Sequence, residues 1–244
     1  MVSGSQERKD CELMNEFFDR RVDTYEDHMR EVIPNFDEFY SAVVSPIPVT
    51  DSSLSILDLG CGTGVELDFV FERVPNARIT AMDVSHDMLA KLKHKLENSG
   101  RGTRVEIVQG SYLSIPFAEC HFDYAISVQT MHHFTPDVKR QLYAKIARAL
   151  KPGGAYIEGD YVAFPEEEQP LLERYGRIVE SLRTAGEIGP AEPVDGRYHI
   201  DIPLSVETQV ALLKDAGYVD VDITFRKGSA AVFRAGRHDG EASR

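Results

Sequence analysis

Ile56-Leu57-Asp58-Leu59-Gly60-Cys61-Gly62-Thr63-Gly64 is the stretch on which the reading of this chain turns. A short apolar run ends in an acid, and three glycines then alternate with small residues. Such a pattern reads as a buried parallel strand that breaks into a tight turn and opens a helix. Glycines there admit a ligand to the backbone where a Cβ would collide. The spacing is G-x-G-x-G and not the dinucleotide fingerprint G-x-G-x-x-G, so a pyrophosphate is not the expected guest.

Outward from this turn, strand and helix patterns alternate. Ser55–Leu59 reads as the first strand, followed by a helix from about Gly64 that ends before Pro75. Arg78–Asp83 is the second strand; Ser85 caps a helix carrying Met88, Leu89, Leu92 and Leu96, which Asn98-Ser99-Gly100 closes. Val105–Gln109 and 124–128 are the third and fourth strands. Thr135-Pro136-Asp137 opens a helix with Val138, Leu142, Ile146 and Leu150 on one face. Lys151-Pro152-Gly153-Gly154 ends it, and 155–160 is a fifth strand. Alternation of this kind implies a parallel, doubly wound α/β sheet. A helix over 206–216 and two further strands with a Lys227-Gly228 turn between them add an antiparallel hairpin.

Two regions depart from the alternation. Residues 1–50 carry Leu13, Phe17, Phe18 and Val22, then Phe36, Phe39, Tyr40 and Val43, at helical spacing, and read as an N-terminal helical cap. Residues 162–203 hold a helix with Leu171, Leu172, Tyr175, Ile178, Val179 and Leu182, then a loop rich in Gly and Pro, and read as an inserted lid. Between them lies the core, 51–161, which 204–235 completes; 236–244 is a polar tail.

The 244 residues suffice for one large α/β domain with additions. With a formal net charge of -13 and no long basic run, the composition argues against a nucleic-acid substrate and for a small molecule. Three scattered cysteines, Cys11, Cys61 and Cys120, make neither a disulfide framework nor a zinc spacing, which fits a cytoplasmic protein. The polar start is not that of a signal peptide, and no apolar stretch approaches the ~20 residues that span a bilayer.

With Asp58 directly ahead of the glycines, the opening stretch closely resembles motif I of the class I S-adenosylmethionine (SAM) dependent methyltransferases. Gln129-Thr130-Met131-His132-His133-Phe134 after strand four, and Leu150-Lys151-Pro152-Gly153-Gly154 before strand five, resemble small-molecule members of that superfamily. The likeness covers about 50–161, and 204–235 in outline. It implies a Rossmann-like sheet of seven strands in the order 3-2-1-4-5-7-6, the last antiparallel, with SAM as cofactor and S-adenosylhomocysteine as product.

The resemblance also implies site residues. Backbone groups of Gly60, Cys61, Gly62 and Gly64 would hold the amino-acid end of SAM, with Asp58 near its ammonium. Asp83, 19 residues after Gly64, would accept two hydrogen bonds from the ribose. Val84 and Met88 would flank the adenine, and Gly110, Ser111, Tyr112 and Val128 complete the set. Ser111 stands where many members have an acid. Methyl transfer needs a nucleophile aligned behind the methyl at about 3 Å. His132 or His133 could act as base if the acceptor is protonated, and Tyr25 could cover the sulfonium. Asp160, Tyr161 and His199 would line the acceptor pocket. His132 and His133 with Asp123 or Asp137 lack ligand spacing on one helix face, so no metal is expected.

The leading expectation is methyl transfer from SAM to a small-molecule acceptor, with a homodimer as the candidate assembly. Residues 28–36, the glycine turn and the helix after Phe134 also look like the carboxy-SAM synthase group, which modifies the cofactor. A non-catalytic SAM-binding regulatory module is the third reading.

Overall fold

The computed structural model describes residues 11–238. The first ten residues expected in the cap, and 239–244 of the expected tail, lie outside them.

Strands β1 (Ser55–Leu59), β2 (Arg78–Asp83), β3 (Val105–Gln109), β4 (Phe122–Val128) and β5 (Leu150–Tyr161) run parallel. Strand β7 (Ala230–Arg237) lies antiparallel between β5 and β6 (Tyr218–Lys227). The order is β3-β2-β1-β4-β5-β7-β6, as the resemblance implied. Successive strand residues face opposite layers. Ile56 therefore joins the core under α3 (Phe36–Val44), α4 (Val65–Arg73) and α5 (His86–Asn98). Leu57 and Leu59 join the core under α6 (Pro136–Ala149) and α8 (Val206–Asp215).

Local chemistry sets the helix starts. Ser85 Oγ accepts from the Met88 N–H at 3.1 Å at the head of α5, Ser205 Oγ accepts from Thr208 N at 3.2 Å at the head of α8, and Pro136 occupies the first turn of α6. Strand β5 starts earlier than the sequence pattern suggested. Phe122 pairs with Leu150 but Tyr124 with Ala155, so 151–154 bulge within the strand rather than preceding it. Strand β7 likewise runs through Arg237, two residues into the expected tail.

The N-terminal segment differs most from its pattern. Helix α1 (Met14–Asp19) is short, and Arg21 N–H to Phe18 O and Thr24 N–H to Arg21 O bonds turn the chain into α2 (Tyr25–Val32). At the start of α1 and just before it, the backbone pairs with the 162–203 insertion: Met14 N donates to Arg197 O at 2.8 Å, and His199 N to Glu12 O at 2.9 Å. Cap and insertion are thus one connected cover over the carboxyl ends of β1, β2 and β4. The insertion contains α7 (Pro165–Thr184), whose Ile178, Val179 and Leu182 pack with Ile188, Val194 and Tyr198 in a small core of their own.

Helix α3 lies close on β5 because Gly159 has no side chain. A Cβ there would stand 2.6 Å from Val43 Cγ2 and 2.9 Å from Phe39 Cζ. Both neighbours are fully buried, so neither can yield. Gly159→Ala is expected to destabilise the fold by about 1–3 kcal/mol; a thermal melt superimposable on that of the parent would refute the close packing.

Candidate functional site

The glycine turn emerges from β1 with Gly60, Gly62 and Gly64 at φ of 71°, 49° and 70°. A Cβ on Gly60 would meet Thr130 Oγ1 at 2.6 Å, so backbone and β4 loop approach as only glycine allows. Gly64 packs differently: its Cβ would strike Leu92 Cδ1 at 2.5 Å, which makes it a contact between α4 and α5. Asp83, at the tip of β2, braces the turn. Its Oδ2 accepts from Gly62 N at 2.9 Å and its Oδ1 from Ser85 N at 2.8 Å. Burial raises its pKa and these backbone bonds oppose the rise.

Asp58 is fully buried and neither carboxylate oxygen has a partner; Glu66 Oε1, in the first turn of α4, is also without one. Burial first, then repulsion from Glu66, pushes Asp58 well above the carboxylate range. Burial raises Glu66 to about 7. Two buried acids at a glycine turn form an electron-rich niche that a cation would satisfy.

A cleft of about 40 Å³ follows the turn, lined by Gly60, Asp83, Val84, Ser111, Tyr112 and Thr130 and closed by Met14, Phe18 and Gly196. The Tyr112 hydroxyl and Thr130 Oγ1 lie 2.6 Å apart across it. The structure therefore groups Gly60, Asp83, Val84, Ser111 and Tyr112. Gly110 supports them, its N–H donating to Asp83 O at 2.8 Å. Met88 and Val128 are buried and are not among the residues lining this cleft. The Cys61 side chain is buried too, while its N–H donates to Met82 O at 3.0 Å.

A larger cavity of about 670 Å³ adjoins, shared through Phe18 and His133. Tyr25 lines it, and its ring lies 3.8 Å from where a Gly62 Cβ would be. Tyr161, His199, and His132 and His133 of the turn Met131–His133 line it as well. Asp160 does not reach the cavity. It lies behind His132, taking His132 N at 2.8 Å on Oδ2 and contacting Nδ1 at 2.6 Å through Oδ1. Burial lowers the His132 pKa, but Asp160 outweighs it and the net shift is upward. Burial, and then the charge of His132, lower His133. Burial brings His199 to about 4.

Three contributors escaped the sequence reading. Thr130 and Gln129 follow β4, and Gln129 holds φ of 53° with its buried amide unpartnered. Asp201 enters from the insertion, its Oδ1 standing 3.2 Å from His133 Nδ1. The alternation His199-Ile200-Asp201 was its one available signal, since extended chain sends both polar side chains to the same side.

Residues 56–154 match the family model described as a methyltransferase domain. An uncharacterized methyltransferase of Geobacillus sp. (strain WCH70) is 24% identical over 216 residues, spanning 88% of this chain and 90% of that protein. Among solved structures, a Haemonchus contortus phosphoethanolamine N-methyltransferase in complex with phosphomonomethylethanolamine and S-adenosylhomocysteine has the same fold, with TM-score 0.66 and 14% identity, covering 98% of this chain and 61% of that one. Human N-acetylserotonin methyltransferase in complex with SAM aligns with TM-score 0.60 and 16% identity over 92% of this chain and 56% of its own. Among the described residues no helix is long and apolar enough to cross a membrane. Sheet order, glycine turn and family match converge: residues 56–154 form a methyltransferase domain, and the chain around them has the fold of SAM-dependent methyltransferases.

Proposed function

We propose that the chain methylates a small-molecule nucleophile held in the 670 Å³ cavity. The carrying observation is the shared wall. Phe18 and His133 line both the cleft over the glycine turn and the larger cavity, so a methyl group at their junction faces an acceptor. SAM bound in the cleft supplies an electrophilic methyl on a sulfonium. The orphaned Asp58 carboxylate fits the ammonium, Asp83 the ribose hydroxyls, Val84, Ser111 and Tyr112 the adenine side. The turn from Gly60 to Gly64 leaves its backbone open to the amino-acid end. Tyr25 shields the junction from water, the buried Gln129 amide orients the acceptor, and the His132, His133 and His199 rings handle its polar atom. Tyr161 lines the acceptor side, while Asp160 is a positioning residue for His132.

Only about 40 Å³ is open in the cleft, so α1 and the Gly196 loop must part for SAM to enter. That supports reading the connected cap and insertion as a lid. The acidic composition supports a small acceptor over a nucleic acid, and three free cysteines support a reducing, cytoplasmic setting. Incubation with methyl-labelled SAM and a fractionated metabolite extract tests the reading. Label must appear in a low-mass product. Bound SAM with no transfer would instead favour a regulatory module, and a carboxylated bound ligand by mass spectrometry the cofactor-modifying reading.

Two further results are expected. Tyr25→Ala should lower kcat by about 2–30-fold, the equivalent of 0.5–2 kcal/mol of cation–π attraction; steady-state kinetics unchanged in kcat would remove Tyr25 from the site. The raised Glu66 pKa means the folded chain retains a proton that the unfolded chain releases. Stability without cofactor should therefore fall as pH rises from 4.5 through about 7. A cation taking that proton's place makes SAM binding in this window release protons. Calorimetry in buffers of different ionisation enthalpy checks this, and identical binding heats would contradict it.

A further inference from the structure

We propose that His132, His133 and Asp201 form a binding site for a divalent transition-metal ion, zinc by preference, facing the acceptor cavity. His133 Nδ1 lies 3.2 Å and His132 Nε2 3.6 Å from Asp201 Oδ1, and one ligand atom from each residue falls within 4.8 Å of the others. Ligands at 2.0–2.1 Å from a tetrahedral ion stand about 3.3–3.4 Å apart, so the two separations to Asp201 need only small adjustments. His133 is 4% exposed, and its Nδ1 is turned to Asp201 Oδ1. A buried imidazole nitrogen facing a carboxylate oxygen is a pair that a metal ion can bridge.

The surroundings prepare the ligands. Asp160 Oδ1, 2.6 Å from His132 Nδ1, favours the tautomer with the proton on Nδ1, which leaves the Nε2 lone pair directed at Asp201. Such a carboxylate behind a histidine is the usual outer support of a metal ligand. The Ile202 N–H donates to His132 O at 2.8 Å, which ties the turn after β4 to the segment bearing Asp201. His199 Nε2 stands 3.8 Å from the same carboxylate oxygen, with its ring stacked on Phe17. Two imidazoles and one carboxylate suit zinc, iron, cobalt or nickel and not magnesium or calcium. Three protein ligands leave a further position for the acceptor, as in catalytic rather than structural sites.

The role of the ion rests on the proposed methyl-transfer reading; the site itself does not. An acceptor R–XH coordinated there loses its proton to water at neutral pH because the ion lowers its pKa. The X lone pair then forms the X–CH₃ bond as the C–S bond breaks, and the C–S electron pair stays on sulfur. The products are R–X–CH₃, S-adenosylhomocysteine and the released proton. Sequence spacing on one helix face had given no metal set; the fold supplies Asp201 from 68 residues beyond His133.

The test uses the full chain stripped with chelator and titrated with Zn²⁺ alone, then with Co²⁺ as a visible-spectrum reporter, while SAM binding is followed separately by calorimetry. Stoichiometric binding with the intense bands of low-coordinate cobalt is expected. It should be abolished in His133→Gln and Asp201→Asn and weakened about 10–100-fold in Asp160→Asn. Asp201 is 54% exposed in its side chain, so its variant keeps the core, and unchanged SAM affinity would report an intact fold. Absent metal binding in a chain that binds SAM would overturn the site, as would binding that survives both ligand substitutions. Metal binding without SAM binding would uphold the site and overturn the methyl-transfer reading.

Discussion

Lys139→Met is expected to destabilise the chain by about 3–5 kcal/mol, the cost of stranding a buried charge. Lys139 is wholly buried in α6, and its Nζ donates to Gln209 Oε1 at 2.9 Å. Gln209 Nε2 in turn donates to Glu158, which also accepts from the hydroxyls of Tyr143 at 2.7 Å and Tyr156 at 2.9 Å. Burial lowers the Lys139 pKa and raises that of Glu158, while each opposes the other's shift. Removing one charge leaves the other uncompensated. Removing both charges with Lys139→Met and Glu158→Gln, which keeps an acceptor oxygen for the two hydroxyls, should recover part of the loss. Urea unfolding of the single and double variants measures the coupling. A single variant within 1 kcal/mol of the parent would mean the charges do not depend on each other. The effect should extend to the site, since Tyr156, Glu158 and Asp160 share one face of β5 and Asp160 aligns His132.

Asp83→Ala is expected to weaken SAM binding by more than about tenfold, since charge-assisted hydrogen bonds to the ribose are lost. The structure adds a second effect. The same carboxylate holds Gly62 N and Ser85 N, so the variant also leaves two backbone donors short of a partner. A stability loss of about 1–3 kcal/mol follows. Asp83→Asn keeps one acceptor oxygen and should fall between parent and alanine in both measurements. Calorimetry showing parental affinity in Asp83→Ala would remove the residue from the cofactor site, whatever the melt shows.

Much of this architecture is written locally. Apolar period, Ser85, Pro136 and Ser205 fix where strands and helices start because a cap or a proline acts within one turn of its own position. Asp83 ends β2 where the local pattern placed it, for the same reason. Local signals mislead where a residue's environment comes from distant chain. Val128 is an apolar side chain near the turn, and only the packing around β4 decides that it joins the core with Ile126 and Ile157. The N-terminal pattern put Val22 on one helix with Leu13, Phe17 and Phe18, whereas α1 ends at Asp19 and the Val22 carbonyl accepts from Lys91 Nζ at 2.9 Å.

By itself the sequence determined the alternating sheet, the glycine turn and the acid at each neighbouring strand tip, all properties of residues a few positions apart. The tertiary structure alone decided that Asp201 meets His132 and His133, that Asp160 stands behind His132 and not in the cavity, and that Lys139 and Glu158 share one buried network. Burial and long-range charge set these outcomes, and both depend on which distant segments the fold brings to within a few ångströms.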